Sequence, residues 1–175
     1  TRIEQVVLLP ILGINTAIIS IIAQNYGANN IYRIKETYFT AIKYAFLIMI
    51  TAGALVFLSA SVITSFFSND PEVIEYGKRY LKISAFVLPA YPVFFLSNGC
   101  FMALKKSENA MISNFFRNVL NPIVVFYIAK HIDASFETFF WIWVSINWFF
   151  SISYFFVIIY YFKVKLNKSS AVVHP

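Results

Sequence analysis

Five stretches of this sequence run for about twenty residues or more with almost no ionisable side chain, and nothing else in the chain limits its fold as strongly. They cover residues 5–32, 44–69, 83–104, 109–129 and 138–162, and only the fourth carries an internal charge, Arg117. A helix needs about 20 apolar residues to cross a hydrocarbon core about 30 Å thick. In that medium only helices and closed barrels satisfy every backbone N–H and C=O. Barrel strands would alternate polar and apolar residues over about ten positions, and Ala54-Leu55-Val56-Phe57-Leu58 does not alternate. The pattern therefore predicts an all-α integral membrane protein. Five transmembrane helices are expected near 5–24, 44–68, 83–104, 109–129 and 138–162. They form one membrane domain over 1–168, and a polar tail follows at 169–175.

Composition supports the same reading. With 59% hydrophobic and 13% charged side chains, the chain lacks the charged quarter, about 25%, that usually clothes a soluble domain. Disorder would require the opposite balance. The net charge of +6 could suggest nucleic acid, but the basic residues sit in short clusters between apolar runs, as loops beside a membrane carry them. The expected partner is the lipid bilayer, with no nucleic acid. Cys100 is alone and cannot form an internal disulfide. Thr1 and the charged pair Arg2 and Glu4 lead straight into an apolar run, so the chain reads as a piece of something longer without a signal-peptide layout.

Turn and cap residues set the expected boundaries. Asn25, Gly27, Asn29 and Asn30 end the first helix near Gln24, and Arg33, Lys35 and Lys43 form a short basic connector. Asp70 can cap a new helix with Pro71 in its first turn, where Glu72 and Glu75 suit the positive helix end. With the start of the chain outside, the inner connectors hold Arg33, Lys35, Lys43, Lys105, Lys106, Lys163, Lys165 and Lys168. The outer ones hold Arg2, Lys78, Arg79, Lys82 and Lys130. Eight against five places the C-terminus in the cytoplasm. Trp141 and Trp143 near one end of the last run, and Tyr160 and Tyr161 near the other, fit aromatic belts.

Polar and helix-breaking residues inside the runs are the candidates for function. Asn114, Arg117, Asn118 and Asn121 recur at i, i+3, i+4 and i+7, which on a regular helix is one face. An Arg at a span's centre costs about 2.5–3.5 kcal/mol on insertion scales, so this face should point into the bundle or a watery pathway. Helix-to-helix glue is the alternative. Asn15, Gln24 and Asn98 add neutral polar groups in or at the ends of spans. Pro122 takes away the donor for the Asn118 carbonyl, and Pro89 and Pro92 do the same to Ala85 and Leu88, so kinks are expected. Gly13 with Ala17, and Thr16 with Ser20, are small residues four apart that let membrane helices approach closely. The twenty Phe and eleven Tyr could line a cavity for flat lipophilic cations or simply face lipid.

Catalytic chemistry has no such support. His131 and His174 are far apart, and no Cys/His cluster, Gly-rich phosphate loop or nucleophile–base set can be assembled. An enzyme, a metal site and a cofactor are not expected.

Several of these residues together resemble the multidrug and toxic compound extrusion (MATE) transporters. The resemblance rests on Pro10-Ile-Leu-Gly13, on Gln24-Asn-Tyr-Gly27-Ala28-Asn-Asn followed by Arg33, and on Phe66-Phe67-Ser-Asn-Asp70-Pro-Glu72-Val with Tyr80-Leu81. It continues through the Pro-bearing run ending at Ala103-Leu104-Lys105-Lys106 and through Arg117 five residues before Pro122. It implies helices eight to twelve of a twelve-helix, two-lobe secondary antiporter, with the N-terminal lobe of the same polypeptide absent. Such a transporter exports drugs or toxic organic cations in exchange for Na+ or H+ by alternating access, in a bacterial inner membrane. The spans here hold no Asp or Glu, so the coupling-ion site implied by the family lies in the missing part, outside this chain, or the ion coupling differs. The resemblance carries over Gln24, Arg117 and Pro122, for packing and lobe geometry. Substrate-pathway candidates are Asn98, Asn114, Arg117, Asn118 and Asn121, and kink or packing positions are Gly13, Gln24, Pro89, Pro92 and Pro122. A lipid-linked oligosaccharide flippase of the same superfamily and a non-transporting membrane scaffold are the alternatives.

Overall fold

The computed structural model describes the backbone of residues 2–166 and the side chains of 4–164 and 166. The expected tail at 169–175, with His174, and Lys168 before it lie outside the described residues. Among the described residues the chain is helical with no strand. The order is α1 (Arg2–Gly27), α2 (Ile31–Phe67), α3 (Pro71–Ser84), α4 (Ala90–Ala103), α5 (Ser107–Phe115), a π-helical segment (Phe116–Leu120), α6 (Asn121–His131), α7 (Phe136–Tyr161) and a second π segment (Phe162–Leu166).

Local chemistry explains where these helices begin. The Asn30 side chain accepts the Arg33 N–H at 3.2 Å to start α2, and Asp70 accepts the Glu72 N–H at 2.9 Å to start α3, with Pro71 beside it as its sequence predicts. Ser135 accepts from the Thr138 N–H at 3.4 Å at the head of α7. Between helices, Asn29, Lys105 and Asp133 adopt left-handed backbone with φ of 54°, 57° and 45°. Asn and Asp tolerate that region; for Lys105 it is a tight turn that lets the Lys106 N–H reach the Phe101 carbonyl at 2.9 Å.

The expected boundaries need three corrections. The first helix continues through Gly27 instead of ending near Gln24. The basic connector with Arg33, Lys35 and Lys43 is itself helical, so α2 has 37 residues and a length of about 55 Å, longer than a hydrocarbon core of about 30 Å. The run 83–104 is not one kinked helix. α3 ends at Ser84, and residues 85–89 make successive i to i+3 turns before α4 begins. Pro89 precedes α4 and Pro92 is its third residue, where a backbone N–H would have no intrahelical partner anyway, so both start a helix and do not bend one. Three helical stretches, Glu4–Gly27, Ile31–Phe67 and Phe136–Val164, are long and apolar enough to cross a membrane by length and composition.

α4 sits at the centre, against α1, α2, α5 and α7. Eleven of its 14 residues are buried. One apolar cluster around it includes Ile18, Ile22, Tyr38, Phe94, Phe101, Tyr154 and Ile158; a second, next to the 85–89 break, includes Ile11, Met49, Val56, Val87, Leu88 and Val144. The Tyr38 and Ser97 hydroxyls pair inside the first cluster at 2.6 Å. Three close helix approaches require glycine: at Gly53, against the Ala85 carbonyl, at Gly77, against the side chain of Thr64, and at Gly99, against the side chain of Asn15. Gly13 is exposed, and a side-chain carbon added there would meet nothing within 4 Å. Within the described residues, the packing role expected of Gly13 is therefore not found.

Candidate functional site

The site is built on one face of α4. Tyr91, Phe94, Phe95 and Asn98 stand at i, i+3, i+4 and i+7, which aligns them along a helix. The Arg117 guanidinium lies over this face, with its central carbon 4.3 Å from the Phe94 ring centre, 4.9 Å from Tyr91 and 5.0 Å from Phe95. A cation within about 6 Å of a ring face is attracted by the ring quadrupole, by about 0.5–2 kcal/mol depending on desolvation. Three rings therefore share one embedded charge. Among the described residues Arg117 has no carboxylate partner. The ring array continues from Phe94 to Tyr154 at 5.7 Å and from Tyr154 to Phe101 at 5.5 Å.

A local feature of the backbone sets where Arg117 sits. Pro122 cannot donate to the Asn118 carbonyl, and the chain answers by widening: the Asn121 N–H bonds the Phe116 carbonyl five residues back, within the π segment Phe116–Leu120. Such a turn holds one residue more than an α turn, rotating the helix beyond it by about 100°. The regular one-face arrangement expected of Asn114, Arg117, Asn118 and Asn121 is consequently broken. Asn121 is buried, Arg117 and Asn114 are half-buried, and Asn118 is exposed.

The other polar candidates divide between the lobe interior and its surface. The side-chain oxygens of Asn98, Asn121 and Asn15 are buried without a hydrogen-bond partner among the described residues, Asn15 lying against Gly99. Gln24 is exposed and donates to Ser20 Oγ of its own helix at 3.4 Å, so it joins no second helix here. Isolated polar residues do not reveal a stripe on α7, whose buried positions are Val144, Asn147, Ser151, Tyr154, Ile158 and Tyr161. Their spacing of three and four residues is the available signal. Asn147 donates to the Trp143 carbonyl at 2.8 Å and Tyr154 to the Asn109 carbonyl at 3.4 Å.

The rim of the molecule is held differently. Arg79 on α3 bonds Glu75 at 3.0 Å and reaches Glu137 at the head of α7 at 3.2 Å, while Tyr80 donates to Glu4 at 2.6 Å. The Arg79 hydrogen bond, and next the charge of Lys78, hold the Glu75 carboxyl below its ordinary value of 4.5. Among the described residues no group of three His, Cys, Asp or Glu side chains could hold a metal ion.

Comparisons with known proteins agree with one another. The MatE family model matches residues 1–127. A protein of Shewanella oneidensis described as an FAD transporter is 23% identical over 134 residues, 77% of this chain and 30% of its own length. Two solved multidrug resistance MATE family transporters of the MOP superfamily share the fold. The outward-facing one superposes with a TM-score of 0.87 at 24% identity, over 95% of this chain and 37% of its own. The inward-facing one does so with a TM-score of 0.86 at 23% identity, over 97% and 39%. The chain thus spans well under half the length of each of these relatives.

Proposed function

Because the chain belongs to the MatE family, we propose that it forms most of the C-terminal lobe of a twelve-helix secondary transporter that exports drugs or toxic organic cations by alternating access, in exchange for Na+ or H+. The observation that carries this reading is that the lobe's fold matches the outward-facing and the inward-facing transporter almost equally, at 0.87 and 0.86. A lobe with one internal fold in both states suits rocking as a body around a central site. The remaining lobe of the same polypeptide supplies the coupling-ion site, since the runs 5–24, 44–68, 83–104, 109–129 and 138–162 hold no carboxylate. The protein resides in a bacterial inner membrane with its C-terminus in the cytoplasm, in line with the distribution of basic residues.

Within this reading Arg117 braces the π segment against α4, and Asn98, Asn114, Asn118 and Asn121 line the approach to it. The test uses the complete transporter in cells. Efflux of a fluorescent organic cation should depend on the ion gradient, and Arg117→Ala should lower it at normal membrane abundance. Gradient-independent efflux would overturn the antiport reading; unchanged efflux in the variant would remove Arg117 from the mechanism.

A second reading has one observation in its favour. The only charge inside the five runs is positive, and the Shewanella relative is described as an FAD transporter. Flat anionic compounds would suit an arginine set among aromatic rings. Export of FAD but not of organic cations from loaded vesicles would favour this reading over the first.

A further inference from the structure

An apolar groove of about 710 Å³ lies between α2 and α7, with the break between α3 and α4 as its base. Phe46 and Phe57 of α2, Phe86 of the break, and Trp141 and Trp148 of α7 form its aromatic walls. A broken helix should expose carbonyls here, yet the two at the base are covered. The Ala85 carbonyl, whose donor is lost at Pro89, packs against the bare Cα of Gly53, where a side-chain carbon would stand 2.9 Å from the oxygen. The Phe86 carbonyl accepts the indole N–H of Trp148 at 2.9 Å. Its own i+4 donor, the Ala90 N–H, is turned to Val87 at 2.9 Å. With both carbonyls covered, the floor of the groove suits hydrocarbon better than water.

Its length and its rim narrow the occupant further. From Phe46 to Phe57 the groove follows α2 for about 16 Å at about 1.5 Å per residue, close to one leaflet's share, about 15 Å, of a hydrocarbon core. The Phe57 end is the interfacial end: Trp141 packs on Phe86 at 5.4 Å, and Glu137, one turn before Trp141, pairs with Arg79. At this end Lys82 holds its ammonium 5.4 Å from the Phe57 ring centre. The other cations of α3, Lys78 and Arg79, have Glu75 at 3.9 and 3.0 Å, whereas Lys82 has no carboxylate partner among the described residues. A half-covered cation over the mouth of an acyl-length apolar groove is complementary to a lipid with a negative head.

We propose that this groove holds one acyl chain of an anionic phospholipid, lying along α2 against the α3–α4 break with its phosphate at Lys82. The site depends on insertion in a bilayer and not on the transport reading, so either can fail without the other.

The complete protein, reconstituted in phosphatidylcholine vesicles, tests it by tryptophan fluorescence. Brominated acyl chains quench an indole on contact, and the groove signal is the part of the quenching lost in Trp141→Phe and in Trp148→Phe. Brominated phosphatidylglycerol should quench that signal several-fold more effectively than brominated phosphatidylcholine at equal mole fraction. Lys82→Gln, on the half-exposed rim, should bring the two lipids level, and Ala54→Phe, which fills the groove, should lower quenching by both. Equal quenching by the two lipids in the unmodified protein, or a phosphatidylglycerol preference that survives Lys82→Gln, would overturn the proposal.

Discussion

α3 and α4 are consecutive helices of 14 residues each, and they are held in opposite ways. α3 carries Glu72, Glu75, Lys78, Arg79 and Lys82 and buries only Leu81, Ile83 and Ser84. Beyond the packing of Leu81 and Ile83 in the second apolar cluster, its charged ties to neighbours are exposed pairs such as Arg79 with Glu137, of a kind that contributes little to stability. α4 buries eleven residues, holds no Asp, Glu, Lys, Arg or His, and makes its polar contacts inside, with Tyr38 on Ser97 and the α4 rings on Arg117. In lipid, apolar area by itself does not drive helices together, so α4 is fixed by close packing and by these few embedded contacts. The difference teaches that the five residues 85–89 join a charged, largely exposed helix to an uncharged, buried one without carrying the phase of the first into the second.

Substitutions at the junction should sharpen that contrast most. In the complete protein, Gly53→Ala places a methyl carbon 2.9 Å from the Ala85 carbonyl, a backbone atom that cannot step aside alone. It should cost about 1–3 kcal/mol by overpacking, read as a lowered midpoint of thermal unfolding in detergent; an unchanged midpoint would show that the break can yield to an added methyl. Trp148→Phe comes next. It keeps a ring in place but leaves the Phe86 carbonyl unpaired, for an expected cost of about 1–3 kcal/mol at the upper limit of full burial. Its smaller shift in the same measurement should be absent in Trp141→Phe, whose indole lies beside Phe86 with no bond to that carbonyl.

The smallest effect belongs to the rim. Because Arg79 and Lys78 lower the Glu75 carboxyl, the protonated form is favoured more in the unfolded chain than in the folded one. The contribution is present above the ordinary value of 4.5 and is lost as pH falls through the lowered folded value. Glu75→Gln should leave the unfolding midpoint at neutral pH almost unchanged and slightly flatten its fall on acidification. A large loss at neutral pH would place α3 with α4 as a packed element and erase the contrast.

The same division separates the legible parts of the molecule from the rest. The uncharged runs led directly to an all-helical membrane chain, because unpaired backbone in hydrocarbon is too costly for any other span. Asp70-Pro71 located the start of α3 for an equally local reason. Arg117 was recognisable as an embedded charge, and Tyr91, Phe94 and Phe95 as aromatic residues, but not as partners. Their meeting depends on how α4 lies against a neighbouring helix and on the π segment, which breaks the even spacing of Asn114, Arg117, Asn118 and Asn121. Gly13 stood out by its spacing, yet a side-chain carbon there would meet nothing within 4 Å, while Gly53, Gly77 and Gly99, with no special pattern around them, are places where helices come close.

By itself the sequence determined the solvent of this protein, its helical class and its capped ends, since these arise from residues acting on their own neighbours. Only the tertiary structure decided which side chains receive the half-buried charge of Arg117, which glycine admits another backbone, and which indole covers the carbonyl left by the break. Those are contacts between segments tens of residues apart, and in lipid, where every outward face is equally apolar, hydrophobic pattern does not say which faces will meet.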